Sequence, residues 1–252
     1  DHPLEVQEDD CTAFIVPDAR ADGQGFYGQT WDMHDTATDH VVLLRLHPDD
    51  APAALVFTTT GCVGQIGMNE AGVCVGINNL VATDGCRGVM WTSVVRDALT
   101  RTSAADARDA ILDAELAGAH SFLTFDGSGE GFMIEAFPTA RPTEKLEAEA
   151  LVHTNHALWD EALARQAPKQ EGLMASSSRR LDRAHELLDR DGVTVDDLMA
   201  LTRDDEAICQ VSTAPAHIES SGAAIMRPGT LDFWAVWGLP SHNDYVHVSF
   251  VA

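Results

Sequence analysis

Cys11 opens a run of β-friendly residues in Asp9-Asp10-Cys11-Thr12-Ala13-Phe14. As a structural residue it is a small buried hydrophobe at a strand start. Its chemistry changes if the peptide bond ahead of it is cut. It then carries a thiol and an α-amino group, with ordinary pKa values of about 8.5 and about 7.7–8.0, so the amine can take the thiol's proton near neutral pH. One residue would supply nucleophile and base. The thiolate would attack a carbonyl, fixed donors would hold the oxyanion, and the acyl group would pass to water or to an amine. Asp32, after Trp31 at the end of the next strand-like stretch, returns beside Cys11 if the intervening turn is tight. Asn155, in Thr154-Asn155-His156, has a side-chain amide able to donate to an oxyanion.

Other reactive residue types read differently. His153 and His156 suggest a metal, but side chains three apart on a strand point to opposite faces, and structural roles are expected. Either could instead act as base to an internal Cys11 in a conventional cysteine hydrolase. His242, Asp244 and His247 have no recognisable metal spacing and are expected at the surface. Cys62, Cys74, Cys86 and Cys209 form no CxxC, which indicates neither a disulfide frame nor a zinc ribbon; most of the thiols are expected to be buried and inert.

Four segments in order carry a resemblance. Cys11-Thr12-Ala13, Gly28-Gln29-Thr30-Trp31-Asp32, Gly64-Gln65-Ile66-Gly67-Met68-Asn69-Glu70-Ala71-Gly72-Val73 and Val152-His153-Thr154-Asn155-His156 are similar to the signature of the acyl-coenzyme A:6-aminopenicillanic acid acyltransferases. That family is a cysteine branch of the N-terminal-nucleophile hydrolases. The resemblance implies that Cys11 is the nucleophile, that Asp32 orients its amine and thiol, and that Asn155 donates to the oxyanion. Asn78, in Gly76-Ile77-Asn78-Asn79-Leu80, matches the asparagine that related bile-salt and penicillin V amidases place at the same hole. It also implies a self-processing enzyme that cleaves or transfers an acyl group at an amide or thioester of a small molecule, without metal or organic cofactor. The cleaved pro-segment is expected to stay associated. Two positions depart from the family pattern, which has glycine before the nucleophile and arginine after Ile-Cys. Here Asp10 and Gln210 stand there, with Arg179 and Arg180 as candidates to replace the arginine. A relative that keeps the fold without catalysis is the remaining alternative.

These residues need elements to hold them. Strands are expected at Thr12–Val16, Gly25–Trp31, His40–Leu46, Ala54–Thr58, Val63–Met68 and Gly72–Ile77, with Asn69-Glu70-Ala71-Gly72 as a turn. Helical spacing follows at Trp91–Leu99 and at Ala104–Leu116, the latter opened by Ser103 and Asp106 as a capping box. Strands return at Ser121–Phe125, Gly131–Phe137 and Ala150–Thr154, then helices at Ser176–Leu188 and Val195–Thr202, separated by a polar excursion at 159–174. Ala223–Met226, Leu231–Trp237 and Tyr245–Val251 close the pattern as strands. Two blocks of strands, each followed by two helices, imply an α+β architecture of two packed sheets with helices outside. With the family resemblance this becomes a four-layer αββα sandwich of the N-terminal-nucleophile hydrolase type.

The chain has 252 residues and is 45% hydrophobic, enough for one substantial core. It begins at Asp1 rather than Met, as expected of a start that is trimmed, processed or simply not included in the sequence. Residues 1–10 are expected to end a pro-segment and 11–252 to form a single catalytic domain. No apolar run approaches the ~20 residues of a membrane span. A formal charge of −24 repels nucleic acid and anionic membranes. Forty acidic residues and only two lysines, Lys145 and Lys169, suit a protein kept hydrated in concentrated salt, which points to a halophile's cytoplasm.

Overall fold

In the computed structural model, which describes residues 10–250, the β-friendly runs pair into two antiparallel sheets. In chain order the first half contains β1 (Ala13–Val16), β2 (Phe26–His34), β3 (Val41–Leu46), β4 (Ala54–Thr59), β5 (Ile66–Asn69) and β6 (Cys74–Asn79), then helices α1 (Trp91–Ala98) and α2 (Ala104–Asp113). The second half contains β7 (His120–Phe125), β8 (Gly131–Ala136), β9 (Thr143–Lys145), β10 (Leu151–His153), α3 (Asp160–Leu163), α4 (Glu171–Leu188), α5 (Val195–Thr202), β11 (Ile218–Arg227), β12 (Asp232–Trp237) and β13 (Val246–Val248). One sheet runs β10-β1-β2-β11-β12-β13 and the other β3-β4-β5-β6-β7-β8-β9. Helices α1 and α2 pack on β6–β8, while α4 and α5 pack on β2, β10 and β11, so the layers are αββα.

Strand alternation sorts the core. Cys11, Ala13, Ile15, Tyr27 and Trp31 join the large cluster between the sheets, with Ile77, Phe122 and Phe125 from the opposite side. Phe14, Val16, Phe26 and Ile225 join a second cluster under Ala184, Leu188, Leu198 and Leu201 of α4 and α5. A side chain on β1 or β2 therefore faces either the second sheet or the helices, according to its parity.

Of the expected capping box at Ser103 the serine half forms, and α5 opens on a full box. Ser103 Oγ accepts from Asp106 N at 3.0 Å, and Thr194 and Asp197 make a reciprocal box. The turn at Asn69 also forms. Its side chain accepts from Ala71 N and Val73 N and donates to Leu99 O and Arg101 O, fastening the β5–β6 hairpin to the end of α1.

Several expectations need correction. The β1–β2 link is a nine-residue passage, 17–25, with a 3-10 turn at Asp18–Arg20, and is not tight. The antiparallel register nevertheless carries Asp32 back opposite Asp10, because β2 extends to His34. The excursion at 159–174 holds the short helix α3 and the first turn of α4, which begins at Glu171. Residues 1–9 and 251–252 lie outside the described residues, and with them all of the expected pro-segment end except Asp10.

Candidate active site

The main chain around Cys11 is gripped from three sides. Cys11 N donates to Asn155 Oδ1 at 2.7 Å. Arg180 Nη1 donates to Cys11 O at 2.5 Å. Ahead of it, Asp32 N donates to Asp10 O at 2.9 Å across an isolated antiparallel bridge. Thr12 is fastened similarly, its N donating to Thr30 Oγ1 at 3.1 Å and its O accepting from Thr30 N at 2.9 Å. The bond between Asp10 and Cys11 thus has its carbonyl oxygen and its nitrogen each fixed by a separate partner.

Parity divides the site into two faces. Cys11 sits opposite Trp31 and belongs to the inter-sheet core, with none of its surface exposed. On the helix side, Arg180 reaches down from α4, fully buried, and its Nη2 contacts Asn155 Oδ1 at 3.0 Å and Asp10 Oδ1 at 3.1 Å. Asp32 is buried beside it. Its Oδ1 accepts from Ser220 Oγ at 2.6 Å, while among the described residues nothing hydrogen-bonds its Oδ2. A β-bulge between Ser220 and Gly222, opposite Asp32 and Trp31, changes the register of β11 there and leaves Ser220 across from Asp32. Burial pushes the Asp32 carboxyl up to about 7, a rise that Asp10 reinforces and that Arg180 and the Ser220 hydroxyl oppose.

Asn155 spans the two sheets. With its Oδ1 on Cys11 N, its Nδ2 donates to Asn79 O at 3.2 Å, at the end of β6 in the other sheet. Asn78, one residue earlier, is fully buried, and neither atom of its amide has a hydrogen-bond partner among the described residues. Ser121 Oγ, on the strand position paired with Asn78, and Trp31 Nε1 are likewise without one. Buried polar groups are ordinarily satisfied, so an unpartnered set of this kind marks a place kept for something else. Trp31 lies 6.0 Å from Trp91, which lies 5.1 Å from His120, ring centroid to centroid. Burial pushes His120 down to about 3, leaving a neutral ring.

The histidines near Asn155 take structural positions. His153 faces the second sheet, where its Nε2 meets buried Glu135 Oε1 at 2.7 Å while its Nδ1 meets Thr154 O at 2.6 Å. Both ring nitrogens are thus engaged by Glu135 and the Thr154 carbonyl. His156 Nδ1 meets Ser177 Oγ at 2.7 Å, and burial with the nearby His153 pushes it down to about 4. His247 is an exposed partner of Asp232. No group of side chains able to hold a metal occurs among the described residues. Cys74 and Cys209 are buried as expected, whereas Cys62 is half-buried and Cys86 exposed.

Gln210 does not reach the site by its side chain, which turns to Ala207 O. Its backbone exchanges hydrogen bonds with Ser220 instead. Of the two arginines considered as replacements, Arg179 is exposed and Arg180 is the buried one. Sequence reasoning passed over Ser177, whose Oγ accepts from Asn155 N at 2.8 Å, and Lys169, whose Nζ donates to Asn155 O at 3.0 Å. A signal existed for Ser177. Ser177 and Arg180 occupy the same helical stripe as Ala184 and Leu188, and polar residues at apolar positions of a stripe ask for partners.

Residues 19–231 match the model of the family described as acyl-coenzyme A:6-aminopenicillanic acid acyl-transferase. The 40 kDa form of that acyltransferase from Emericella nidulans is 28% identical over 134 residues, covering 52% of this chain and 37% of its own length. The match therefore spans well under half of that relative. Among solved structures, a conjugated bile acid hydrolase from Clostridium perfringens superposes with a TM-score of 0.68 at 12% identity, covering 95% of this chain and 92% of the other. The N-acylethanolamine-hydrolyzing acid amidase ortholog of Caenorhabditis elegans gives 0.60 at 14%, covering 87% and 93%. Penicillin V acylase from Agrobacterium tumefaciens gives 0.58 at 10%, covering 95% and 86%. At these identities the likeness is one of fold, the αββα sandwich of the N-terminal-nucleophile hydrolases. On its sequence match, the chain belongs to the acyl-coenzyme A:6-aminopenicillanic acid acyl-transferase family.

Proposed function

We propose that the chain is a self-processing cysteine amidohydrolase or acyltransferase, in which Cys11, freed from Asp10, attacks the carbonyl of a small-molecule amide or thioester. The observation that carries this reading is the 2.7 Å hydrogen bond from Cys11 N to Asn155 Oδ1. An acceptor already held on that nitrogen would orient it as an α-amine once the bond is cut. The amine then takes the thiol proton, the thiolate adds to the substrate carbonyl, and the amine returns the proton to the leaving group. Asn78 and Asn155 are assigned to the oxyanion, and Asp32 to setting the charge around the amine from the helix side of the strand. Thiol and amine together supply nucleophile and base, so the chemistry requires no metal or organic cofactor.

The relatives named above act on conjugated bile acids, N-acylethanolamines and penicillins, which supports an amide substrate here, with hydrolysis favoured over synthesis. The pro-segment is assigned to remain bound after cleavage. No helix among the described residues is long and apolar enough to cross a membrane, and we assign the protein to the cytoplasm of a salt-adapted cell on its charge alone.

Intact-mass analysis of the expressed protein tests the reading. The expected product begins at Cys11, and Cys11→Ser leaves the chain uncut and inactive because a hydroxyl is the weaker nucleophile. Full activity in an uncut chain overturns the assignment and favours an internal cysteine.

A further inference from the structure

Asp10 lies on the acyl side of the bond ahead of Cys11, and its side chain is 4% exposed. It stands opposite Asp32 across the isolated bridge, on the face that α4 covers. Residues so placed on antiparallel strands have Cβ atoms about 4.5–5.5 Å apart. Two carboxylates therefore converge on one guanidinium, that of Arg180, in a space sealed from water. Charging both would leave a net negative charge buried, so the arrangement favours retaining a proton. Asp32 is the member that keeps it, being fully buried, while Asp10 holds the 3.1 Å ion pair with Arg180. The other groups that face it are the hydroxyls of Ser220 on β11 and Thr30 on β2, and the Cys209 thiol from the segment after α5.

We propose that Asp10 is a positioning residue for cleavage of its own peptide bond: its carboxylate anchors Arg180 against Cys11 and, standing opposite Asp32, favours a proton on Asp32 until the bond breaks. The inference rests on the self-processing reading and goes beyond it, since that reading assigns Asp10 no role. Cleavage proceeds as Cys11 Sγ bonds to the Asp10 carbonyl carbon, the C–N bond breaks, and the thiol proton passes to the departing nitrogen. Water then adds to the thioester, the C–S bond breaks, and Asp10 leaves with a new α-carboxyl group. Asp32 N, 2.9 Å from Asp10 O, donates where the oxyanion develops. Asn155 Oδ1 holds the nitrogen that becomes the amine. Once the link is cut, the Asp10 carboxylate is free to swing off Arg180 although the pro-segment stays bound, and Asp32 then ionises against Arg180 alone. A glycine before the nucleophile could neither anchor Arg180 nor favour that proton.

The test follows cleavage of the full chain after cell-free synthesis and dilution into buffers from pH 5 to 9, read by intact mass. In the unsubstituted chain the rate has a limb with a midpoint near 7, where Asp32 titrates. In Asp10→Asn and Asp10→Gly that limb moves to lower pH by about one unit or more, whichever protonation state cleaves, because a like charge has been removed. Carboxyl-carbon NMR of the uncuttable Cys11→Ala chain reads the same pair without cleavage. There the Asp32 midpoint falls when Asp10→Asn is added. An unmoved midpoint in both measurements overturns the role of Asp10 while leaving self-processing intact. A chain that never cuts at any pH overturns both.

Discussion

At the scale of single residues, Asn155 bears the most. Its carbonyl oxygen accepts from Cys11 N and from Arg180, its amide nitrogen donates to Asn79 O, and its own backbone is held by Ser177 and Lys169. Asn155→Ala is expected to lower turnover by about 10²- to 10³-fold, the usual cost of losing an oxyanion donor, as read from kcat of the processed protein. An unchanged kcat removes Asn155 from that role. Position 210 supplies no arginine to the site, and the buried arginine there is Arg180. It enters from a different element, yet stands between Cys11 O, Asn155 Oδ1 and Asp10.

At the scale of elements, the strands and helices around Cys11 were readable because their signals are local. Val41–Leu46 and Ala54–Thr59 are apolar runs between turn residues, and Thr194 with Asp197 announces α5 to the residue. The rest was hidden for identifiable reasons. Edge strand β9, Thr143-Glu144-Lys145, is wholly exposed and has no apolar alternation to detect. The first turn of α4 carries Glu171 and Gly172 ahead of its buried stripe and looks like loop. The bulge in β11 leaves no mark in Glu219-Ser220-Ser221-Gly222, and the placing of Ser220 against Asp32 depends on it. Motif order in the sequence singles out Cys11 as the candidate nucleophile, but its contacts on the helix face are not legible there, since Arg180 lies 169 residues away. Gly76 on β6 lets the sheets close on each other. A Cβ there would lie 2.0 Å from Tyr27 Oη and 2.3 Å from Gln29 Oε1, two atoms already hydrogen-bonded at 2.8 Å. Gly76→Ala is expected to cost about 1–3 kcal/mol through overpacking, seen as a fall in Tm of about 2–4 °C per kcal/mol. An unaltered Tm shows that the pair has room to move.

At the scale of the whole molecule, a formal charge of −24 carried on 252 residues makes the folded state repel itself in dilute buffer. Added salt screens that repulsion within a Debye length of about 10 Å at 0.1 M and about 3 Å at 1 M. The unfolding temperature is therefore expected to climb from low to molar salt, and a flat or falling curve removes the case for salt adaptation. The sheets are joined near Cys11 by polar side chains as well as by core. Asn155 reaches Asn79, Gln29 reaches Ile77, and His153 reaches Glu135. Within this seam Cys11 has no exposed surface while its link to Asp10 is whole. Oxidants and electrophiles meet no exposed surface on a sulfur so enclosed, so on the self-processing reading the uncut protein would be inert without an inhibitory domain. Chemical vulnerability and catalytic competence would then begin at the same moment, when that one link is severed.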